Sequence, residues 1–294
     1  METVYSVNPM ERNLYNQLLG LDEKTCGKAK GKRKGGGKRK AKSKRKEESK
    51  RKAKSKRKEE SKNKSKSKKR KTNKRGDDSK MVVHQIFFNI GKGELTEIPR
   101  FNECHKNNKK ECKRQGIKYK LWTRKMVEKL LDKPKNKRFK KIYYDFSVDI
   151  MRIDFARYLI LWNFGGIYID LDICILGKSI KHLFSLDYFF VRWHDSQLPY
   201  NAILGTKSNN PLYLEILEHC EESYYEKKKQ KIYKTWKGRF VFQTTGHFML
   251  QRVLKKNKIK GYLDIVRIHA KDGRVVQGKK PLFEDTSASV WFDK

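Results

Sequence analysis

Residues 149–176 read DIMRIDFARYLILWNFGGIYIDLDICIL, and two elements meet in this stretch. Residues 150–164 are apolar nearly all round, which predicts a buried helix. Gly165-Gly166 stops that helix, because glycine accepts the backbone angles that end one. Residues 167–176 then alternate, which predicts one strand with Ile167, Ile169, Leu171, Ile173 and Ile175 on a single face. Asp170 and Asp172 share the opposite face, with their Cα atoms about 7 Å apart.

Two carboxylates on one face of an otherwise apolar strand repel each other and lose hydration. A hard divalent cation, Mn²⁺ or Mg²⁺, resolves that conflict, because such ions take carboxylate oxygens and share phosphate oxygens as ligands. The preceding helix carries Asp154 and Arg157, three apart and on one face. Charges on a buried helix need partners. The two either pair with each other or point together into a cleft. Asp170 and Asp172 on the next strand favour the cleft.

Outward from this stretch, strands are predicted over 82–90, 119–122, 188–193 and 263–269. Helices are predicted over 99–115, 124–131, 211–225 and 246–254, and Ser147 is expected to cap the helix that runs to Asn163. Alternating strands and helices argue for an α/β layered domain with a largely parallel sheet. Ligands of such sheets bind at the carboxyl ends of strands, which directs attention to the loops after Ile90 and Asp172.

The whole chain has 294 residues and a formal net charge of +40. Residues 1–80 hold 31 Lys/Arg against 10 Asp/Glu, and residues 81–294 hold 42 against 23. The first part is too polar to bury a core, so residues 1–80 are expected to be a disordered basic tail and 81–294 the folded domain. Within the tail, KAKSKRKEESKR at 40–51 recurs as KAKSKRKEESKN at 52–63. A twelve-residue period with no apolar residue beyond Ala buries nothing on stacking, so this is low complexity and not a solenoid. Residues 28–75 offer nonspecific electrostatic contact with polyanions, or serve as a plain solubilising spacer. They contain no aromatic residue, which argues against base stacking there.

No apolar run approaches the length of a membrane span, and residues 1–20 lack signal-peptide form. Cys26, Cys104, Cys112, Cys174 and Cys220 are odd in number and lack paired zinc-site spacing. This predicts a reduced, intracellular, soluble chain without disulfides, with Cys174 as a small buried filler. Trp122, Trp162, Phe155 and Phe164 are expected in the core, and His84 as a satisfied strand histidine.

The extended pattern D-x-x-R-Y, six residues, then G-G-I-Y-I-D-L-D is more specific than a bare D-x-D. It resembles the sugar-nucleotide-binding region of DXD glycosyltransferases, closest to glycosyltransferase family 32 with its initiation mannosyltransferases and capsular sugar transferases. The glucosylating clostridial toxins are more distant relatives with the same pattern. The resemblance runs from about Val83 to the C-terminus. It implies a GT-A-like, Rossmann-like fold and metal-dependent transfer, with retention, from a UDP- or GDP-sugar to a glycan, lipid or protein.

By the same resemblance, Asp154 and Arg157 hold the donor sugar, Asp170 lies near ribose and sugar, and Asp172 binds the metal. Phe87, with Phe88 as the other candidate, corresponds to the aromatic beside the nucleotide base. Asn201 faces the sugar, Thr245-Gly246 corresponds to a T-G-P motif in which His247 replaces Pro, and Ser289 and Trp291 belong to a loop over the diphosphate. The family often has a late histidine ligand close before that Trp. No His occupies that place here, leaving His269, Glu284 or Asp285 as substitutes. A basic arm on such an enzyme resembles proteins of large DNA viruses, which implies the host cytoplasm or the virion.

Two other classes compete. Haloacid-dehalogenase-type phosphatases end a strand in D-x-D-x-T/V, but Cys174 stands in place of Thr or Val, and a long stretch precedes the motif. A nucleic-acid-binding protein with a degenerate enzyme core would fit the charge, but would not need Asp154, Arg157, Asp170 and Asp172 together.

Overall fold

The computed structural model describes residues 81–91, 93–192, 198–231, 237–259, 261–269 and 275–286. The tail 1–80 and the expected loop residues Ser289 and Trp291 lie outside the described residues.

The first strand, β1 (Val82–Phe87), is followed by helix α1 (Pro99–Arg114), strand β2 (Lys118–Thr123) and helix α2 (Arg124–Leu131). A short helix α3 (Lys140–Asp145) leads to the long α4 (Asp149–Phe164) and then to β3 (Gly166–Ile169) and β4 (Ile173–Ile175). Strands β5 (Tyr188–Arg192) and β6 (Pro199–Thr206) precede helices α5 (Pro211–Lys229), α6 (Lys237–Thr244) and α7 (His247–Lys256). The described part closes with β7 (Val266–His269), β8 (Val275–Gln277) and β9 (Phe283–Asp285).

The main sheet has the order β2-β1-β3-β6-β5. β1 pairs in parallel with β2 and β3, β6 runs antiparallel to β3, and β5 runs antiparallel to β6. Four of the five strands therefore share one direction, as expected of a mostly parallel α/β sheet flanked by helices. A second sheet has the order β4-β9-β7-β8.

Both faces of the main sheet are buried, as parallel sheets require. Ile86, Tyr168, Phe190 and Leu204 point into one core with α4, α5 and α7. Val83, Ile167, Phe189 and Ile203 point into another, with Cys112 of α1 and the second sheet. Every residue from Asp154 to Trp162 of α4 is buried, which fits its nearly uniform apolar circumference. Its N-cap is Val148 and not Ser147, and no side chain caps it. Asp149 in the first turn takes up the role by charge, pairing with Arg152 at 2.7 Å and Arg124 at 2.9 Å.

Gly165 and Gly166 both sit at positive φ, 66° and 95°. A Cβ would lie 2.5 Å from Ser208 N at Gly165 and 2.4 Å from Val82 O at Gly166. Only glycine lets the chain turn this tightly from α4 into the sheet.

Three expectations are corrected. The strand predicted over 167–176 is two strands in two different sheets, with the Asp170-Leu171-Asp172 turn at the crossing. The isoleucine alternation survives because both strands face the same core. Second, the chain is not free of disulfides, since Cys104 of α1 is bonded to Cys174 of β4 across 70 residues. Cys174 is therefore not a filler. α1 lies along β4, where Asn108 bonds both Ile173 O at 2.7 Å and Ile175 N at 2.8 Å. That packing joins two sulfurs whose spacing in sequence gives no sign of it. Third, Phe164 is 38% exposed at the end of α4, while Trp122, Phe155 and Trp162 are buried as expected. Among the described residues no helix is long and apolar enough to cross a membrane.

Candidate active site

α4 and the end of β3 meet at an ion cluster. Arg157 is 3% exposed and Asp154 4%. The Arg157 guanidinium reaches Asp154 Oδ1 at 2.8 Å and Asp170 Oδ1 at 3.3 Å. It also donates to Asn201 O on β6 at 2.7 Å. Asp154 and Arg157 thus pair with each other and also join the DXD turn, so both roles weighed from the sequence coexist. Arg157 Nε is buried with no partner, an unused donor inside the cluster.

Neutral groups complete the arrangement. Thr245 Oγ1 donates to Asp154 Oδ2 at 2.9 Å, and Asn201 Nδ2 lies 3.4 Å from Asp154 Oδ1. Tyr168 Oη donates to Asp170 Oδ1 at 2.5 Å. Gln85 Nε2 donates to Asp170 O at 2.9 Å, and Gln85 Oε1 accepts from Tyr119 Oη at 2.6 Å. His105 Nδ1 lies 2.7 Å from the same Tyr119 oxygen. Thr286 donates to Asp172 O from both N, at 3.0 Å, and Oγ1, at 2.9 Å.

One cation against two carboxylates leaves a buried excess of negative charge. Burial pushes Asp154 up to about 6, against the lowering pull of Arg157. Burial also raises Asp170, offset by Arg157 and the Tyr168 hydroxyl. Asp170 keeps 28% of its side chain open. The two carboxylates hold Arg157 firmly protonated.

The structure brings together Asp154, Arg157, Asp170, Asn201 and Thr245 of the expected set. Asp172 stands half-buried two residues on. Phe87 shares the β1 face of Gln85 by the two-residue period, and is half-buried. Phe88 is buried in the core, with the Arg124 guanidinium 4.8 Å above its ring. His84 is satisfied as expected. Its Nε2 lies 3.0 Å from Gly165 O, its Nδ1 accepts from Trp122 Nε1, and burial pushes it down to about 4.

Of the substitutes for the late ligand, Glu284 is engaged by His269 at 2.9 Å and Arg267 at 3.3 Å. Asp285 is buried and accepts from Tyr200 Oη. Among the described residues no group of three His, Cys, Asp or Glu is arranged to hold a metal ion.

Residues 96–190, from before α1 into β5, match the family described as "Glycosyltransferase sugar-binding region containing DXD motif". That match spans the DXD turn and the helix before it. The chain's similarity extends to an uncharacterized glycosyltransferase of Acanthamoeba polyphaga mimivirus, 25% identical over 45% of this chain and 51% of that one. It extends also to inositol phosphoceramide mannosyltransferase 1 of Schizosaccharomyces pombe, 30% identical over 28% of this chain and 30% of that one. The chain thus spans about half the length of these relatives or less. Among solved structures, the PaToxG glycosyltransferase aligns at 14% identity and a TM-score of 0.43, over 60% of this chain and 69% of that one.

The sequence did not single out Tyr168, Gln85, Tyr119 or Thr286. Gln85 sits beside His84 in the opening strand, and its polarity at a fully buried position was the available signal.

Proposed function

We propose that the domain transfers a sugar from a nucleoside-diphosphate sugar, UDP- or GDP-linked, to a glycan, lipid or protein acceptor with retention of configuration. The observation that carries this reading is Arg157 bridging Asp154 and Asp170 at the DXD turn, with Nε left unpartnered in a buried site. A buried N–H without a partner is costly, and a sugar or phosphate oxygen would satisfy it.

Asp154 and Asn201 would accept from and donate to sugar hydroxyls. The Arg157 fork would anchor the sugar while Tyr168 and Gln85 keep Asp170 in place. Phe87 would cover the base. Holding the sugar carbon against the acceptor supplies rate by positioning.

The donor set suits a hard cation. Mg²⁺ typically takes one or two carboxylates and completes its shell with substrate phosphates and water, a ligand set that Mn²⁺ shares. Asp172 would hold it, with Asp170 turned mainly to Arg157 and Tyr168. When bound, the ion neutralises charge on the departing diphosphate.

A phosphatase reading needs a free nucleophilic first aspartate. Asp170, engaged by a guanidinium and a phenol, does not suit that role. Two relatives are named for mannosyl transfer to inositol phosphoceramide, so a mannosyl donor is the first to try. Of the host cytoplasm and the virion, the Cys104–Cys174 bond favours the virion, where disulfides persist.

The test is donor hydrolysis and thermal shift of the full chain with UDP- and GDP-sugars, with and without Mn²⁺, beside Asp170→Asn/Asp172→Asn. A metal-dependent response to one donor, absent in the variant, is expected. Equal silence or equal response in both proteins would overturn the reading.

A further inference from the structure

At the opposite end of the main sheet from the DXD turn, the starts of β1 and β2 and the end of α4 form a groove of about 440 Å³. Val82, His84, Lys118, Tyr119, Lys120 and Phe164 line it. Phe164 is exposed there, at the last position of a helix whose preceding turns are buried. Its ring centroid lies 5.4 Å from that of Trp122 and 6.5 Å from that of His84, and 38% of the residue stays open to solvent.

Lysines surround that ring. Lys120 Nζ stands 3.7 Å from the Trp122 ring centroid and 5.3 Å from that of Phe164. Lys133 Nζ is also 5.3 Å from Phe164, and Lys135 Nζ is 4.7 Å from Trp162. Among the described residues no carboxylate pairs with Lys120 or Lys133. The nearby acid Asp132 is taken by Lys140, and Glu218 by Arg138. Burial and the charge of Lys133 hold Lys120 below its ordinary value. Lys120 and Lys133, held near aromatic rings with no carboxylate partner among the described residues, are poised for an anion that also presents a flat ring.

We propose that this groove binds single-stranded nucleic acid, with a base stacked on Phe164 and phosphates on Lys120 and Lys133. Single-strand sites combine these parts, a basic groove that follows the backbone and an aromatic platform that accepts any base. Lys118 and Lys120 lie two apart on edge strand β2, so their stems leave the same face about 7 Å apart and extend the basic track. The Lys/Arg-rich stretch 28–75, which has no aromatic residue, ends in sequence shortly before Val82. The groove's role is independent of sugar transfer.

The test measures fluorescence anisotropy of a labelled oligothymidylate on the full chain across a salt series. Phe164→Ala should weaken binding about 5- to 150-fold, the range for losing one stacked base. Phe164→Trp should restore it. Lys120→Gln/Lys133→Gln should flatten the log K against log[salt] slope by about 1.4, two phosphates' share on a single strand. Lys109→Gln/Lys110→Gln, exposed on α1, should leave binding unchanged.

Melting curves report folding, and the Trp variant keeps the stacking test valid if the Ala variant unfolds. Wild-type affinity in all groove variants would overturn the proposal and leave binding to the basic stretch. Loss in the lysine variant alone, with inorganic polyphosphate competing equally for wild type and Phe164→Ala, would overturn stacking. Groove-dependent binding of phosphatidylserine vesicles without groove-dependent oligonucleotide binding would assign the surface to lipid instead.

Discussion

Arg157→Met isolates what the ion cluster contributes. Met keeps most of the stem's packing and removes the charge. Asp154 and Asp170 then remain in the site without their cation. Breaking a buried pair from one side costs about 3–5 kcal/mol, because a desolvated charge is left uncompensated. At roughly 2–4 °C per kcal/mol for a domain of 150–250 residues, Tm should fall by about 6–20 °C at pH 8.

The pH dependence carries the stronger test. Asp154 is raised in the folded state even with Arg157 present, to about 6. Removing the guanidinium raises both carboxylates further. A raised folded value means that the folded state binds the extra proton, so stability is greatest below the unfolded carboxylate range and falls as pH rises through the folded value. The deficit of Arg157→Met against wild type should therefore shrink steadily from pH 8 to pH 5. Differential scanning calorimetry of both proteins over that interval measures it. A loss of Tm that is the same at every pH would refute the argument, and would assign the role of Arg157 to packing of its stem.

Asp172→Asn should leave Tm within about 1–2 °C, because the side chain is half-buried, yet lower turnover of the responsive donor by about 100-fold or more, the scale for loss of one charge-stabilising group; steady-state kinetics at saturating Mn²⁺ tests both halves. The acid limb of kcat/KM should bend near pH 6 as Asp154 protonates and releases Arg157, and Asp154→Asn should abolish that bend in a pH–rate profile. Non-reducing peptide mapping should recover Cys104 and Cys174 on one linked peptide pair, and Cys104→Ser/Cys174→Ser should lower stability by about 2–4 kcal/mol in a urea melt. Gln85→Glu cannot donate to Asp170 O, and should cost about 1–3 kcal/mol in the same melt.

What the sequence revealed and what it concealed divide along physical lines. α4 was legible because an apolar run with two isolated charges has few other readings. Its glycine stop was legible because the turn into β3 leaves no room for a Cβ. β6 was missed. It reads PYNAILGT, opening on Pro and carrying Asn and Gly, which are poor strand signals. Those residues are there for the site and the packing. Asn201 serves Asp154 and Arg157, and Gly205 leaves space for the Phe189 ring, which a Cβ would meet at 2.0 Å. The break at Asp170 was invisible because hydrophobic alternation reports which face is buried, and here two sheets bury the same face. The disulfide was hidden for a related reason, since pairing over 70 residues depends on how α1 lies across β4.

That break also explains how two aspartates two residues apart come to have different surroundings. In a continuous strand Asp170 and Asp172 would point the same way and compete for one ligand. In the turn, Asp170 O accepts from Gln85 and from Ile173 N, and Asp172 O accepts from Thr286. The backbone is thus pinned at both acids. Asp170 turns to the Arg157 guanidinium and the Tyr168 phenol. Asp172 stands past the crossing, where the second sheet begins. Two like charges are thereby placed on either side of the crossing, one held by Arg157 and Tyr168 and the other at the start of the second sheet, and the sheet crossing is the device that separates them.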